Sequence, residues 1–296
     1  MRKKLIEVII KRDISLTCME EKMKNDRIEI NVAGSQPGTA LYTYIIDSSP
    51  EIRKNERPLV LICPGGGYEF TSDREAEYLA LQFLAMGYHA AVLRYSVTPA
   101  VFPTALCELA TAMNIIKENA KEWNVVEDKI FVLGCSAGGH LAASLGVFWN
   151  DKELGIANKL GLSEEQIKPA GMILCYPVIT SGEFAHRGSF DALLKGIQTD
   201  ELLEKVSLEN QVSADTPPTF IWHTFVDDCV PVENSLMFVS ALKKAGVVTE
   251  FHMYPVGGHG LSTAKEITLS PNWNEVVPQC QSWLALLEIW LKGQCE

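Results

Sequence analysis

Ser136 stands in Gly134-Cys135-Ser136-Ala137-Gly138, directly after the apolar run Ile130-Phe131-Val132-Leu133 and before a small-residue helical pattern from Leu141 to Val147. That order reads strand, sharp turn, helix. Glycine on both sides lets a serine sit at strained backbone angles while the helix passes close by. The hydroxyl would then project beyond the sheet, beside the positive end of a helix dipole. Such a serine is a nucleophile only if a base takes its proton and an acid holds the base. Chance alone places the pentapeptide in roughly one chain in ten of this length, so the partners have to carry the argument.

Two downstream stretches supply them. Phe220-Ile221-Trp222-His223-Thr224-Phe225-Val226-Asp227-Asp228 runs from a strand into a loop, and Phe251-His252-Met253-Tyr254 leads to Gly257-Gly258-His259-Gly260. An acid and then a histidine, each just past a strand's C-terminal end, lie where an open α/β sheet gathers a site. The order Ser136, Asp227 or Asp228, His259 is the Ser…Asp…His order of one large hydrolase fold. His259, between loop glycines, is free to reach Ser136. His252 and His223, in or at the end of a strand, read as packed or hydrogen-bonded, and His140 as packed. Cys63-Pro64-Gly65-Gly66-Gly67-Tyr68 follows another apolar strand and offers unobstructed backbone N–H groups. Gly66 or Gly67, together with Ala137, would form an oxyanion hole, each donor worth about 10²–10³ in rate. No Gly-Lys-Ser/Thr follows to make the stretch a phosphate loop.

Composition narrows the class. The chain has 296 residues, 47% of them apolar, and a formal charge of −11, with no basic block beyond Arg2-Lys3-Lys4. That excludes nucleic acid and anionic membranes as expected partners. The opening Leu5 to Ile10 run is broken by Glu7, lacks a small-residue cleavage site after it and reads as an N-terminal strand rather than a signal peptide. Eight cysteines are scattered singly, which suits free thiols in a reducing, cytoplasmic compartment. As small apolar side chains they naturally fill buried strand positions. Cys63 and Cys135 would in either case flank the reaction centre, where a thiol reagent would block access. No cluster has metal-ligand spacing, so neither a metal nor another cofactor is expected.

The elements that must position these groups alternate. Arg27 to Val32 and Leu41 to Ile46 read as a hairpin; Leu59 to Cys63, His89 to Tyr95, the strand ending at the elbow, Gly171 to Tyr176, Thr219 to Phe225 and Val248 to Tyr254 read as strands. Ser72-x-x-Glu75 reads as a capping box opening a helix that stops at Gly87. Further helices are expected over Thr104 to Trp123, Glu233 to Ala245 and Val276 to Leu291. The pattern predicts an α/β fold, one domain over 1–296, with a mostly parallel sheet and helices on both faces. Residues 150–169 and 179–217 fall outside the alternation, and the longer segment is expected to form a lid over the site.

At this point the chain resembles the α/β-hydrolase esterases, in particular a bacterial carbohydrate-esterase-like group of acetyl xylan esterase-like proteins, with feruloyl and kynurenine-formamidase-type esterases as relatives. The likeness runs from about Leu59 to the C-terminus. It rests on Pro64 to Tyr68, Gly134 to Leu141, Tyr176-Pro177-Val178-Ile179, Pro217 to Phe220, Val230 to Ser235 and Gly258-His259-Gly260. It implies Ser136 as nucleophile, His259 as base and the amides of Gly66 or Gly67 and Ala137 as oxyanion hole. The spacing to Val230-Pro231 in related hydrolases favours Asp227 over Asp228 as the acid. Hormone-sensitive-lipase-type esterases carry histidine where Pro64 stands, which turns the expectation away from lipids. The expected reaction is serine-dependent hydrolysis of a short acyl, acetyl-type ester of a soluble sugar or similar alcohol, with a homodimer as a candidate assembly. Tyr68, Glu69, Cys135, Val178 and His186 are the expected pocket walls. An amidase or peptidase of the same fold, or an inactive binding protein, are the alternatives.

Overall fold

Hydrophobic alternation decides the architecture. Along Leu59 to Ile62 and Ile130 to Leu133, successive side chains point to opposite faces of a sheet. Leu59, Leu61, Ile130 and Val132 join one apolar cluster, whereas Val60, Ile62, Phe131 and Leu133 join another. A sheet that is apolar on both faces needs helices on both. The computed structural model, which describes residues 23–271 and 275–295, has that layering.

Among the described residues nine strands form one sheet: β1 (Met23–Lys24), β2 (Arg27–Glu29), β3 (Ala40–Ile46), β4 (Arg57–Cys63), β5 (His89–Arg94), β6 (Val125–Cys135), β7 (Gly171–Cys175), β8 (Thr219–Thr224) and β9 (Thr249–Tyr254). Their order is β1-β3-β5-β4-β6-β7-β8-β9, with β2 paired to β3 off that path. β1 and β2 are antiparallel to β3, and β3 to β5; every other pairing is parallel. The helices are α1 (Glu77–Ala85), α2 (Thr104–Glu118), α3 (Ala120–Trp123), α4 (Ala137–Phe148), α5 (Ile156–Leu160), α6 (Glu164–Ile167), α7 (Arg187–Leu194), α8 (Asp200–Val206), α9 (Glu233–Ala245) and α10 (Trp283–Cys295). Leu79 and Phe83 of α1 pack with Trp283 and Leu287 of α10 on one face; α2, α4 and α9 cover the other. The register brings the strand ends into line. Cys63 pairs with Gly134, Cys135 with Cys175, Cys175 with Trp222 and Thr224 with Tyr254. The loops that follow therefore meet along one edge of the sheet.

Several local expectations change. The N-terminal strand over Leu5 to Ile10 lies outside the described residues. Ser72 makes no side-chain cap, and Glu75 turns inward instead. Its carboxylate accepts from the Tyr176 hydroxyl at 2.7 Å and from the Gly65 amide at 2.9 Å, two buried donors that would otherwise be unpaired. The helix expected over 104–123 breaks at Asn119, whose side chain donates to the Ile115 carbonyl and competes with the backbone ladder. The last helix begins at Trp283, after a 3₁₀ turn over Cys280–Ser282, and Pro278, which cannot sit inside a helix, keeps it from starting at Val276. Residues 179–217 carry α7, α8 and a 3₁₀ turn at Leu208–Asn210, and they are fastened to the core. Asn234 accepts from the Ile179 and Thr180 amides and donates to the Phe184 carbonyl.

The elbow helix comes very close to the end of β4. A Cβ on Gly138 would stand 2.1 Å from the Cys63 carbonyl oxygen and 2.4 Å from that of Pro64. Gly138→Ala is expected to cost about 3 kcal/mol or more in urea unfolding. Gly293→Ala, on an exposed part of α10 with nothing near its Cβ, should instead gain about 0.5–1 kcal/mol. Equal unfolding midpoints for Gly138→Ala and the wild type would show that this approach does not constrain the fold.

Candidate active site

The elbow forms as its glycines require. Ser136 has φ 54° and ψ −121°, a backbone conformation that costs a non-glycine residue on the order of 1–3 kcal/mol. Neighbouring strands hold it there. Its amide donates to the Cys175 carbonyl at 3.0 Å, and its carbonyl accepts from the Val178 amide at 3.0 Å and the His140 amide at 3.2 Å. Ala137 opens α4, where an amide has no acceptor within its own helix.

His259 reaches Ser136 from the loop after β9. Its Nε2 lies 2.7 Å from Ser136 Oγ and its Nδ1 2.7 Å from Asp227 Oδ2. A carboxylate can only accept, so Nδ1 carries the proton and Nε2 is left to accept from the hydroxyl. Tyr176 stands edge-on to the imidazole with ring centroids 5.1 Å apart, and Arg74 Nη2 donates to the Gly260 carbonyl at 2.6 Å. Both contacts fix the histidine loop.

Asp227 has no exposed side-chain surface. Its Oδ1 accepts from the Cys229 amide at 3.0 Å and the Val230 amide at 2.9 Å; its Oδ2 accepts from His259 and, at 3.2 Å, from His223 Nε2. Burial alone would raise this carboxyl. The hydrogen bonds and charges of His223 and His259 outweigh burial and hold it well below the usual carboxylate range. A depressed carboxyl adds stability above its unfolded-state value and loses it as pH falls through the folded one. Asp228 is exposed to solvent.

Gly66 (φ 133°) and Gly67 (φ 64°) border the same cleft as Ser136 and His259, a cavity of about 570 Å³. Of the expected walls, Glu69 and His186 line it. His186 caps α7, accepting from the Ser189 amide, and burial together with the charge of His259 lowers its pKa. The other three lie elsewhere. Tyr68 is buried and its hydroxyl is 2.9 Å from His140 Nδ1; Cys135 and Val178 have no exposed surface. Their side chains alternate into the core just where their backbones reach the site. His140 is packed as expected, its Nε2 on the Val206 carbonyl at 2.9 Å, and burial lowers its pKa to about 4. Cys63 is also fully buried, so neither expected thiol borders the reaction centre. Phe70, Arg74, Glu75 and Cys229 line the cleft without having been singled out. Phe70 is 57% exposed, and nothing in its sequence neighbourhood distinguishes it from a loop residue.

The sheet, the strained serine and the convergent strand ends define an α/β-hydrolase. Residues 48–242 match the BD-FAE family, and the chain belongs to this family of α/β-hydrolase esterases. It is 38% identical over 215 residues to endo-1,4-beta-xylanase B of Butyrivibrio fibrisolvens, covering 71% of this chain and 33% of that protein. It is 29% identical over 203 residues to an acetylxylan esterase of Xylanibacter ruminicola, covering 67% and 39%. The chain thus spans a third to two fifths of the length of these curated relatives. The crystal structure of an acetyl ester-xyloside bifunctional hydrolase from Caldicellulosiruptor lactoaceticus superposes with a TM-score of 0.77 at 35% identity, over 91% of this chain and 96% of that one.

Thiol chemistry tests the placement of the cysteines. Cys229 is exposed at the cleft, although burial and the Asp227 and Asp228 carboxylates push its thiol up. Methyl methanethiosulfonate above pH 8 is expected to lower turnover through Cys229 alone, with Cys229→Ser keeping its activity through the treatment. Labelling of Cys63 or Cys135 in the folded protein, read by mass spectrometry, would contradict the burial described.

Proposed function

We propose that this protein hydrolyses short acyl esters, acetyl esters above all, of a sugar or similar small alcohol, with Ser136 as nucleophile, His259 as base and Asp227 as acid. The supporting observation is the continuous run of two 2.7 Å hydrogen bonds from Asp227 through His259 to Ser136, at the floor of an open cleft. Ser136 Oγ adds to the ester carbonyl as its proton passes to His259 Nε2. The oxyanion is taken up by the amides of Ala137 and Gly66 or Gly67, which need no reorganisation to receive it. His259 then protonates the leaving alcohol, water adds to the acyl-enzyme by the same route, and the acid is released. Asp227 keeps the imidazole in the productive tautomer and stabilises its protonated form.

The alcohol side rests on the cleft and on the relatives. Glu69 and His186 line the cleft beside the Phe70 ring, polar groups next to an aromatic face, a mixture suited to a sugar's hydroxyls and apolar ring faces. The segment 179–217 supplies one wall through His186, and its packing speaks for a fixed border rather than a closing lid. Unpaired thiols at all seven cysteines among the described residues fit a reducing, cytoplasmic setting. No helix among those residues is long and apolar enough to cross a membrane.

Hydrolysis of acetylated xylo-oligosaccharides beside p-nitrophenyl acetate tests this reading. Ser136→Ala is expected to lose about 10⁶ in kcat. Asp227→Asn should lose about 10⁴ and Asp228→Asn almost nothing. Wild-type turnover in Ser136→Ala would overturn the nucleophile. Lengthening the acyl chain from acetyl to octanoyl should lower kcat/KM, each methylene that the site excludes costing roughly tenfold or more. A flat profile would rule out a short-chain site.

A further inference from the structure

His223 has no solvent-exposed side-chain surface, yet it does more than fill space. Its Nε2 faces two groups that can only accept: Asp227 Oδ2 at 3.2 Å and the Val230 carbonyl at 3.0 Å. Nε2 therefore carries a hydrogen shared between them. Nδ1 lies 2.8 Å from the hydroxyl of Ser235, itself buried in the first turn of α9, and that hydroxyl can supply the remaining proton. With His259 on the same Oδ2 and two backbone amides on Oδ1, the carboxylate accepts four donors, which is about its full capacity.

We propose that His223 is a positioning residue for the acid: its Nε2–H, oriented by Ser235, aims Asp227 Oδ2 at His259 and shares the negative charge that His259 meets. This rests on the reading of Ser136, His259 and Asp227 given above. A carboxylate oxygen bonded by two imidazoles presents less charge to each than one bonded by a single imidazole. Removing the His223 donor leaves one acceptor position of a buried carboxylate unpaired and returns its charge to His259. His259 then holds its proton more tightly and is available as a base only at higher pH.

Other titratable groups surround the pair and remain in place when His223 is changed. They are Asp228 and Cys229 on the same loop, His186 from the segment before α7, Glu69 from the glycine loop, Arg74 bonded to the Gly260 carbonyl, Glu75 bonded to Tyr176, Glu233 in the first turn of α9, and Tyr176 against His259. On β9, His252 is paired with Glu250. A displaced pH profile that depends on residue 223 alone is therefore not inherited from these neighbours.

The test is the pH dependence of kcat/KM for p-nitrophenyl acetate in the wild type, His223→Leu, His223→Gln and Ser235→Ala, with thermal unfolding run alongside. His223→Leu is expected to lower kcat about tenfold and to move the acid limb upward by about half a pH unit or more. Glutamine can place an N–H near the position of Nε2, so His223→Gln should restore most of both. Ser235→Ala, which keeps the ring but frees its Nδ1, should move the limb in the same direction by less, and it carries the test if His223→Leu does not fold. An acid limb that stays at its wild-type position in the folded variants overturns the proposal, even if their rates or stabilities fall. So does a His223→Gln variant that behaves like His223→Leu. Full activity in Ser136→Ala would instead remove the underlying reading of the site, a different failure with a different signature.

Discussion

Ser136 cannot hold its left-handed backbone unaided, and much of the centre of the molecule serves to keep it there. The conformation costs on the order of 1–3 kcal/mol locally and survives only where surrounding contacts over-determine it. Here its own amide and carbonyl are tied to the end of β7 and the segment that continues it, through Cys175 and Val178. Parallel pairing of β6 with β7 in the Cys135↔Cys175 register is what delivers those partners. The glycines have a steric part in the same arrangement. A side chain at Gly134 would run into the Gly138 carbonyl at 2.0 Å, and one at Gly138 into the end of β4. The pentapeptide spacing thus records how closely a helix, its own strand and a neighbouring strand must meet before a hydroxyl can stand free of the sheet.

Asp227 is held differently, by electrostatics more than by sterics. A buried carboxylate without donors would take up a proton and could no longer orient a histidine. Asp227 stays ionised because its loop turns back on it, offering the amides of Cys229 and Val230, while His223 and His259 bond its other oxygen. Asp228, one residue later, points to solvent and has none of these partners in the turn. The difference between two adjacent, chemically identical side chains is therefore a matter of which one the turn encloses.

That difference marks where sequence reading succeeds and where it runs out. The alternating strands and helices, Ser136 and His259 were legible because their signals are local: glycine spacing, apolar runs, a histidine set in a glycine-rich loop. Asp227 needed the spacing to Val230-Pro231, which is the trace left by the turn that closes on its carboxylate. Tyr68, Cys135 and Val178 were misplaced for a simple reason. Tyr68 and Cys135 each lie beside a cleft residue along the chain, and Val178 meets Ser136 only through its backbone amide; in each case the backbone reaches the site while the side chain turns the other way into the core. Glu75 was misread because Ser-x-x-Glu is a local pattern, whereas its partners at Gly65 and Tyr176 come from distant strands. His223 could be read as hydrogen-bonded, but only the fold reveals that its partner is Asp227.

Glu75 and Tyr176 also explain how the separate loops behave as one site. The Tyr176 hydroxyl donates to Glu75 and accepts from the Ser262 amide at 2.9 Å, three residues beyond His259, while its ring rests against the His259 imidazole. Glu75 in turn accepts from the Gly65 amide, next to Gly66 and Gly67, which border the cleft. A single buried tyrosine–carboxylate pair thus joins the glycine loop, the end of β7 and the histidine loop, and Arg74 adds a second tie through the Gly260 carbonyl. Preorganised donors stabilise developing charge only if they do not have to move when it appears. Under the proposed roles, linking the Gly66–Gly67 loop to His259 through fully bonded buried groups would meet that condition without any element having to close over the cleft, whose neighbouring segment is anchored by Asn234.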